Sequence, residues 1–219
     1  LVYDLIVDGD RLISRGTHGV SIYDITNPAT PIHTSFSYIY DWDLPSATVW
    51  THAGRGALHN GHYYFSATAL SGSNLNHLME FDLRGADPIE VSAILAATTA
   101  SSVIAHVTRI GDDLFFGTMA GSASHTWARF DASTPGSVVA SGAGVPDEGA
   151  WAVAPSGRHL LLAPIYGGQE LEVWDVMGDP VSNVHTTWYS FGGHHPMTAS
   201  DSTIWLVGTG PGGYALYTY

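Results

Sequence analysis

One phrase recurs five times along the 219 residues of this chain. Each copy has a short apolar run, a polar turn centred on Gly, a second apolar run, a Gly/Ser-rich loop and a third run ending in an aromatic. The third runs read GVSIYDI (19–25), HLMEFDL (77–83), TWARFDA (126–132), ELEVWDV (170–176) and GYALYTY (213–219). The turns before them read DGDRLIS (8–14), NGHYYFS (60–66), IGDDLFF (110–116), SGRHLLL (156–162) and SDSTIWL (200–206). Self-similarity on this scale constrains the fold before any local pattern does. Each repeat is one small unit that buries its faces only against its neighbours.

The period narrows the choice. The turn positions Gly9, Gly61, Gly111, Gly157 and Asp201 lie 52, 50, 46 and 44 residues apart. A unit of roughly 40–50 residues matches a four-stranded propeller blade. Within the units apolar residues alternate, as at Val20 and Ile22, and β-branched and aromatic residues are frequent. That is the period of strands, not of helices. Ile89–Ala97, the segment nearest to a helical pattern, reads better as the outer strand of a blade. The expected fold is therefore an all-β, five-bladed propeller over 1–219, with blades of about four antiparallel strands near 1–48, 49–99, 100–144, 145–190 and 191–219. No charged or low-complexity linker divides the chain, and Pro and Gly fall at the turns between runs.

The fifth unit lacks an outer strand. It is expected either to close the ring as a three-stranded blade, with Leu1–Val7 packed on His195–Ser200, or to be completed by residues of a longer polypeptide. The edge of Tyr214–Tyr219 is apolar and invites pairing, so it is expected to be covered, by a partner or through self-association with a neighbouring copy.

The string GVSIYDITNPATPIHTSF (19–36) resembles the LVIVD-type propeller repeat of bacterial and archaeal surface proteins. In that family an apolar strand ends in Asp and runs into an Asn-Pro turn. LRGADPIEVSAI (83–94) and VMGDPVS (176–182) are looser copies. The resemblance implies a β-propeller exported to the extracellular space, the cell surface or the periplasm. It implies no activity, because propellers host many unrelated functions.

Composition excludes several classes. There is no Cys, which removes disulfides, thiolate metal sites and cysteine catalysis. Lys is absent as well; seven arginines face 20 acidic residues, for a net charge of −13. Such a chain repels nucleic acid and anionic membrane surfaces. No apolar run reaches the roughly eighteen residues that mark a membrane-spanning helix.

In a propeller the first strand of each blade lines the central channel, and the loops entering those strands form one rim. The segments concerned are 1–7, 51–59, 101–110, 147–155 and 192–200. Counted back from the turn positions, Asp4 and His106 lie five residues before the turn. Tyr3, Arg55, Trp151 and His195 lie six before, and His52 and Glu148 lie nine before. Polar and aromatic groups thus recur at corresponding places, in the mixture typical of small-ligand sites. Tyr3, Asp4, Arg55, His106, Glu148, Trp151 and His195 are the expected ligand-binding residues, for a protein or carbohydrate partner at the channel mouth.

His52, His106, His194 and His195 come from three blades. With Glu148 or Asp4 they form a candidate divalent-metal set of imidazole and carboxylate donors. The simpler alternative is that these histidines bond carbonyls at strand ends. His18, His77 and His125 precede the third strands and read as loop residues away from the axis. A carboxylate-based glycoside hydrolase using Asp4, Asp41 or Asp43 and Glu148, or a metal-assisted lyase using His52, His106 and His195, is the alternative to a non-catalytic binding propeller. GTGPGG (208–213) has no helix after it and reads as a hairpin loop, not a phosphate cradle. The Asp ending four of the third runs (Asp24, Asp82, Asp131, Asp175) reads as a turn acceptor of backbone N–H groups. The aromatics before them (Tyr23, Phe81, Phe130, Trp174) are expected to pack between blades.

Overall fold

The computed structural model describes the backbone except at residues 43–48, 52–53, 72, 98–101, 121–126, 144–149, 165–169, 189–196, 201–202, 211–212 and 219. Five antiparallel sheets follow one another in chain order, as the repeat predicts. Blade one is β1 (Val2–Asp8), β2 (Arg11–Gly16), β3 (Gly19–Asp24) and β4 (Ile32–Tyr38). Blade two has its inner strand in two pieces, β5 (Val49–Thr51) and β6 (Ala57–His59), followed by β7 (His62–Ser71), β8 (Ser73–Asp82) and β9 (Ile89–Ala97). Blade three is β10 (Ser102–Ile110), β11 (Asp113–Ala120), β12 (Trp127–Asp131) and β13 (Val139–Ala143). Blade four is β14 (Ala150–Ser156), β15 (His159–Pro164), β16 (Glu170–Asp175) and β17 (Ser182–Trp188). Blade five has three strands, β18 (Met197–Ala199), β19 (Ile204–Gly210) and β20 (Gly213–Thr218). One 3-10 turn, Ile39–Asp41, is the single helical element among the described residues. The pairing of Gly210 with Gly213 makes GTGPGG a hairpin.

The first hairpins of blades one to four are each closed by two residues. Asp8 pairs with Arg11, His59 with His62, Ile110 with Asp113, and Ser156 with His159. The first loop residue has positive φ every time: Gly9 at 59°, Asn60 at 50°, Gly111 at 61° and Gly157 at 56°. Glycine adopts this region without a Cβ penalty, and Asn tolerates it better than most residues. In blade two the second residue, Gly61, is also positive, at 76°. So Asn60, not Gly61, is the equivalent of Gly9, Gly111 and Gly157. Counting from Gly61 shifts blade two by one residue, which in a strand exchanges the two faces. With the register corrected, Arg55 lies five residues before its turn, level with Asp4 and His106, and His52 lies eight before.

The core consists of seams between successive blades. Ile13, Val20 and Ile22 of blade one bury against Tyr63, Phe65 and Phe81 of blade two, and Trp42 packs its ring 5.4 Å from Phe65 and 5.2 Å from Phe81. Tyr64 and Leu78 meet Val107, Leu114, Phe116 and Phe130 between blades two and three. Ile110, Phe115 and Trp127 meet Val153, Leu160 and Leu162 between three and four, and Leu161 and Leu171 meet Met197 between four and five. A middle strand covered on both faces is apolar without a break, as in Leu114-Phe115-Phe116 and Leu160-Leu161-Leu162. Of the aromatics expected between blades, Phe81 and Phe130 are buried in seams and Trp174 packs against the seam of blades three and four. Tyr23 sits edge-on to His33, 5.1 Å away, on the open face of blade one.

Two expectations fail here. Leu1–Val7 does not pack on the start of blade five as far as the described residues 197–200 extend. Leu5 is 60% and Val7 64% exposed, while Met197 is buried against blade four. Met197 points towards blade four, and among the described residues nothing covers Leu5 or Val7. His77 is not a loop residue but a buried member of β8, because the β7–β8 hairpin is long and pairs Ala67 with His77. His18 does lie in a turn, and His125 is outside the described residues.

Seams also hold buried polar groups. Glu80 of β8 is fully buried between blades two and three. Its Oε1 accepts from Tyr64 Oη at 3.0 Å and from the Gly136 backbone N–H of blade three at 2.8 Å, and its Oε2 accepts from Ser92 Oγ at 3.0 Å. His62 Nδ1 is 2.9 Å from the same Oε1. One carboxylate thus ties two blades together and satisfies donors that burial would otherwise leave unpaired. The third-strand aspartates act as turn acceptors, as expected: Asp24, Asp82 and Asp131 each accept the backbone N–H two residues ahead at 2.8 Å.

Candidate functional site

The inner strand of blade two is interrupted. Thr51 pairs with Ala67 and Ala57 with Tyr64, so five residues (52–56) stand opposite two. An insertion of this kind breaks the ladder and frees backbone groups for other partners. The excess chain is held by both neighbouring blades. Towards blade one, Gly54 O accepts from Arg15 Nη2 at 2.7 Å, and the Gly56 N–H donates to Asp4 Oδ2 at 2.7 Å. Towards blade three, the Arg55 N–H donates to His106 Nδ1 at 3.2 Å, and Arg55 O accepts from the Val107 N–H at 2.8 Å. Gly56 must be glycine: a Cβ there would lie 2.4 Å from the ring of Tyr63.

Asp4, Arg55 and His106 therefore meet. By count from their turns they hold the same position in three successive blades, Asp4 on β1, His106 on β10 and Arg55 in the segment between β5 and β6. Asp4 Oδ2 takes a second hydrogen bond, from Tyr63 Oη at 2.8 Å, and Tyr63 Oη accepts from Arg15 Nε at 3.0 Å. Arg15 is fully buried, with its guanidinium 5.3 Å from the Phe65 ring centroid. Arg15, Tyr63 and Asp4 thus form a relay running from the seam to the inner strand. Burial pushes the Tyr63 phenol far above its usual value, so it stays a hydroxyl and a donor. Burial also lowers Arg55, against the opposing pull of the Asp4 charge. His106 is buried, and an Nδ1 that accepts from a backbone N–H puts the proton of the neutral ring on Nε2.

Tyr3 and Trp151 share a second regularity. The register of β1 slips between Val2 and Asp4, and that of β14 slips between Ala150 and Ala152. Both residues are the extra residue of a β-bulge, six before the turn. Bulges re-aim side chains at rims and sites. Arg55 leaves this group once blade two is re-registered. The side chain of Trp151 lies outside the described residues, as do His52, Glu148, His194 and His195.

Of the candidate metal set, only His106 is described, and its Nδ1 is already engaged. Asp4 Oδ2 likewise carries two donors. Among the described residues no cluster of three or more His, Asp or Glu is arranged around a common point. Asp41 lies exposed on the 3-10 turn, and Asp43 is outside the described residues, so the carboxylate pair that glycoside hydrolysis requires is not assembled among the described ones.

Sequence reasoning missed Arg15, Tyr63 and Gly56. Arg15 and Tyr63 lie on second strands, which ordinarily supply seam residues. The Gly-Arg-Gly of 54–56 was the available signal: two glycines around a cation, on a strand, mark a bulge or close backbone approach.

The sheets and their order define a β-propeller. No protein-family model matches the sequence, and no curated protein matches it. Solved structures do. The Cps50 (Swd1) β-propeller domain of Myceliophteria thermophila is similar with a TM-score of 0.51 at 11% identity, over 100% of this chain and 84% of that one. Kluyvelomyces marxianus Hsv2 is similar with a TM-score of 0.56 at 15% identity, over 99% and 69%. YjhT gives 0.61 at 12% identity, over 94% and 71%. At these identities the likeness is one of fold.

Proposed function

We propose that this protein is a non-catalytic binding propeller that holds a protein or carbohydrate partner at the mouth of its central channel. The observation carrying this reading is the convergence of Asp4, Arg55 and His106 at one level on three blades, stitched together by the interrupted strand of blade two. A charged group held in place by neighbouring blades is what recognition needs. Tyr3 and Trp151, on bulges, would flank it. The acidic surface, the lack of Cys and Lys and the repeat-like string at 19–36 support export to the extracellular space, the cell surface or the periplasm.

Glycan and peptide arrays probed with the purified protein test the reading. A bound partner should be lost, by about tenfold or more (about 1.4 kcal/mol), in H106A and D4N, and kept in R158A, which alters an exposed ion pair far along the chain. Binding that is indifferent to Asp4 and His106 overturns it.

A further inference from the structure

All fixed side-chain positive charge in this chain is carried by arginine, and six of the seven have hydrogen-bond partners. Arg11 donates to Asp8 and Leu83 O, and Arg15 to Tyr63 and Gly54 O. Arg84 donates to Asp82, Arg129 to Asp113, and Arg158 to Asp175. Arg109 Nη1 is 2.8 Å from His59 Nδ1. The exception is Arg55. Its backbone is bonded on both sides, yet its guanidinium has no hydrogen-bond acceptor among the described residues, although the residue is half-buried. Partial burial makes its charged form more costly, and this desolvation is the largest cause lowering its pKa. In a chain of net charge −13, with carboxylates in excess, its guanidinium feels the Asp4 charge but makes no hydrogen bond to a described carboxylate.

We infer that Arg55 is the anchor for a carboxylate on the ligand, which takes two parallel N–H bonds from the guanidinium at the level of Asp4 and His106. The planar fork of Arg matches a carboxylate in this bidentate way. Asp4 selects the charge. It stands beside Arg55 with its own negative charge, so the site tolerates one added negative charge better than two, which favours a carboxylate over a phosphate dianion. The inference rests on the binding reading above and names its ligand class: an acidic sugar or an acidic peptide side chain.

The test is chemical protection of the unaltered protein. Phenylglyoxal modifies free guanidinium groups, and mass spectrometry reads the extent at each arginine. Acetate and glucuronate should slow modification at Arg55 several-fold and leave Arg84 and Arg158 unchanged. Glucose should have no effect at any of them. In D4N, inorganic phosphate should gain the protection that it lacks in the unaltered protein. Equal protection at Arg84 and Arg158, no protection by either carboxylate, or better protection by phosphate than by acetate in the unaltered protein would each overturn the inference. An array partner that depends on Asp4 and His106 while Arg55 stays unprotected by carboxylates would sink this inference and leave the binding reading standing.

Discussion

Blades one and three carry the same phrase in opposite circumstances. Leu5, Leu12 and Tyr23 of blade one occupy the positions of Val107, Leu114 and Phe130 in blade three. Val107 and Leu114 are fully buried and Phe130 is 2% exposed, because blade two covers them; Leu5 is 60% exposed. Phe36 and Tyr38 of β4 add to the open face, with rings 5.9 Å apart. The repeat thus specifies which way a side chain points. A neighbouring blade decides whether it is buried.

The largest expected effect lies in the covered seam. Phe130→Ala should cost about 3–5 kcal/mol, as a cavity between two sheets does. Tyr23→Ala, at the equivalent open position, should cost less than about 1 kcal/mol. Urea denaturation of both variants makes the comparison, and equal losses would show that the face of blade one is covered in solution.

Next comes the buried carboxylate of the seam. Glu80→Ala removes the acceptor of Tyr64, Ser92 and the Gly136 N–H at once. A loss of about 2–3 kcal/mol is expected, whereas Ser92→Ala should cost about 1 kcal/mol. A neutral Glu80→Ala would mean that blades two and three are held by apolar packing alone.

Acid sharpens the contrast between seams and turns. Hydrogen bonds from Arg84 hold Asp82 far below the usual carboxylate value, and backbone N–H bonds at Thr26 lower Asp24. Asp131 and Asp175 are lowered by bonds from Ser133 and Arg158. A carboxyl depressed in the folded state stabilises above its unfolded value, near 3.8, and loses that contribution as pH falls through the folded value. Thermal midpoints should therefore hold from neutrality to about pH 5 and fall progressively in stronger acid. Asp82→Asn should flatten that fall. An unchanged acid limb in this variant would remove the turn aspartates from the explanation.

Much of the fold is legible in the sequence because the repeat is periodic and its turns are marked. The third strands, the outer strand Ile89–Ala97 and the three-stranded last blade all lie where the pattern places them. Even the open face leaves a trace: the second strand of blade one reads Arg-Leu-Ile-Ser-Arg, with Leu12 and Ser14 on the uncovered side, where the inner blades are continuously apolar. The site was half legible. Asp4 and His106 share a count from their turns. Arg55 did not, because Asn60 takes the positive-φ position that glycine marks elsewhere. Residues 54–56 then join blades one and three through their backbone groups, which no side-chain pattern announces.

The central claim is that the interrupted strand of blade two brings Asp4, Arg55 and His106 together. Long-range proton–nitrogen NMR of the imidazoles tests it most directly. In the neutral form His106 should carry its proton on Nε2, with Nδ1 as acceptor, and its titration should move in both Asp4→Asn and Arg55→Ala. A proton on Nδ1, or a titration unchanged by both substitutions, would contradict it.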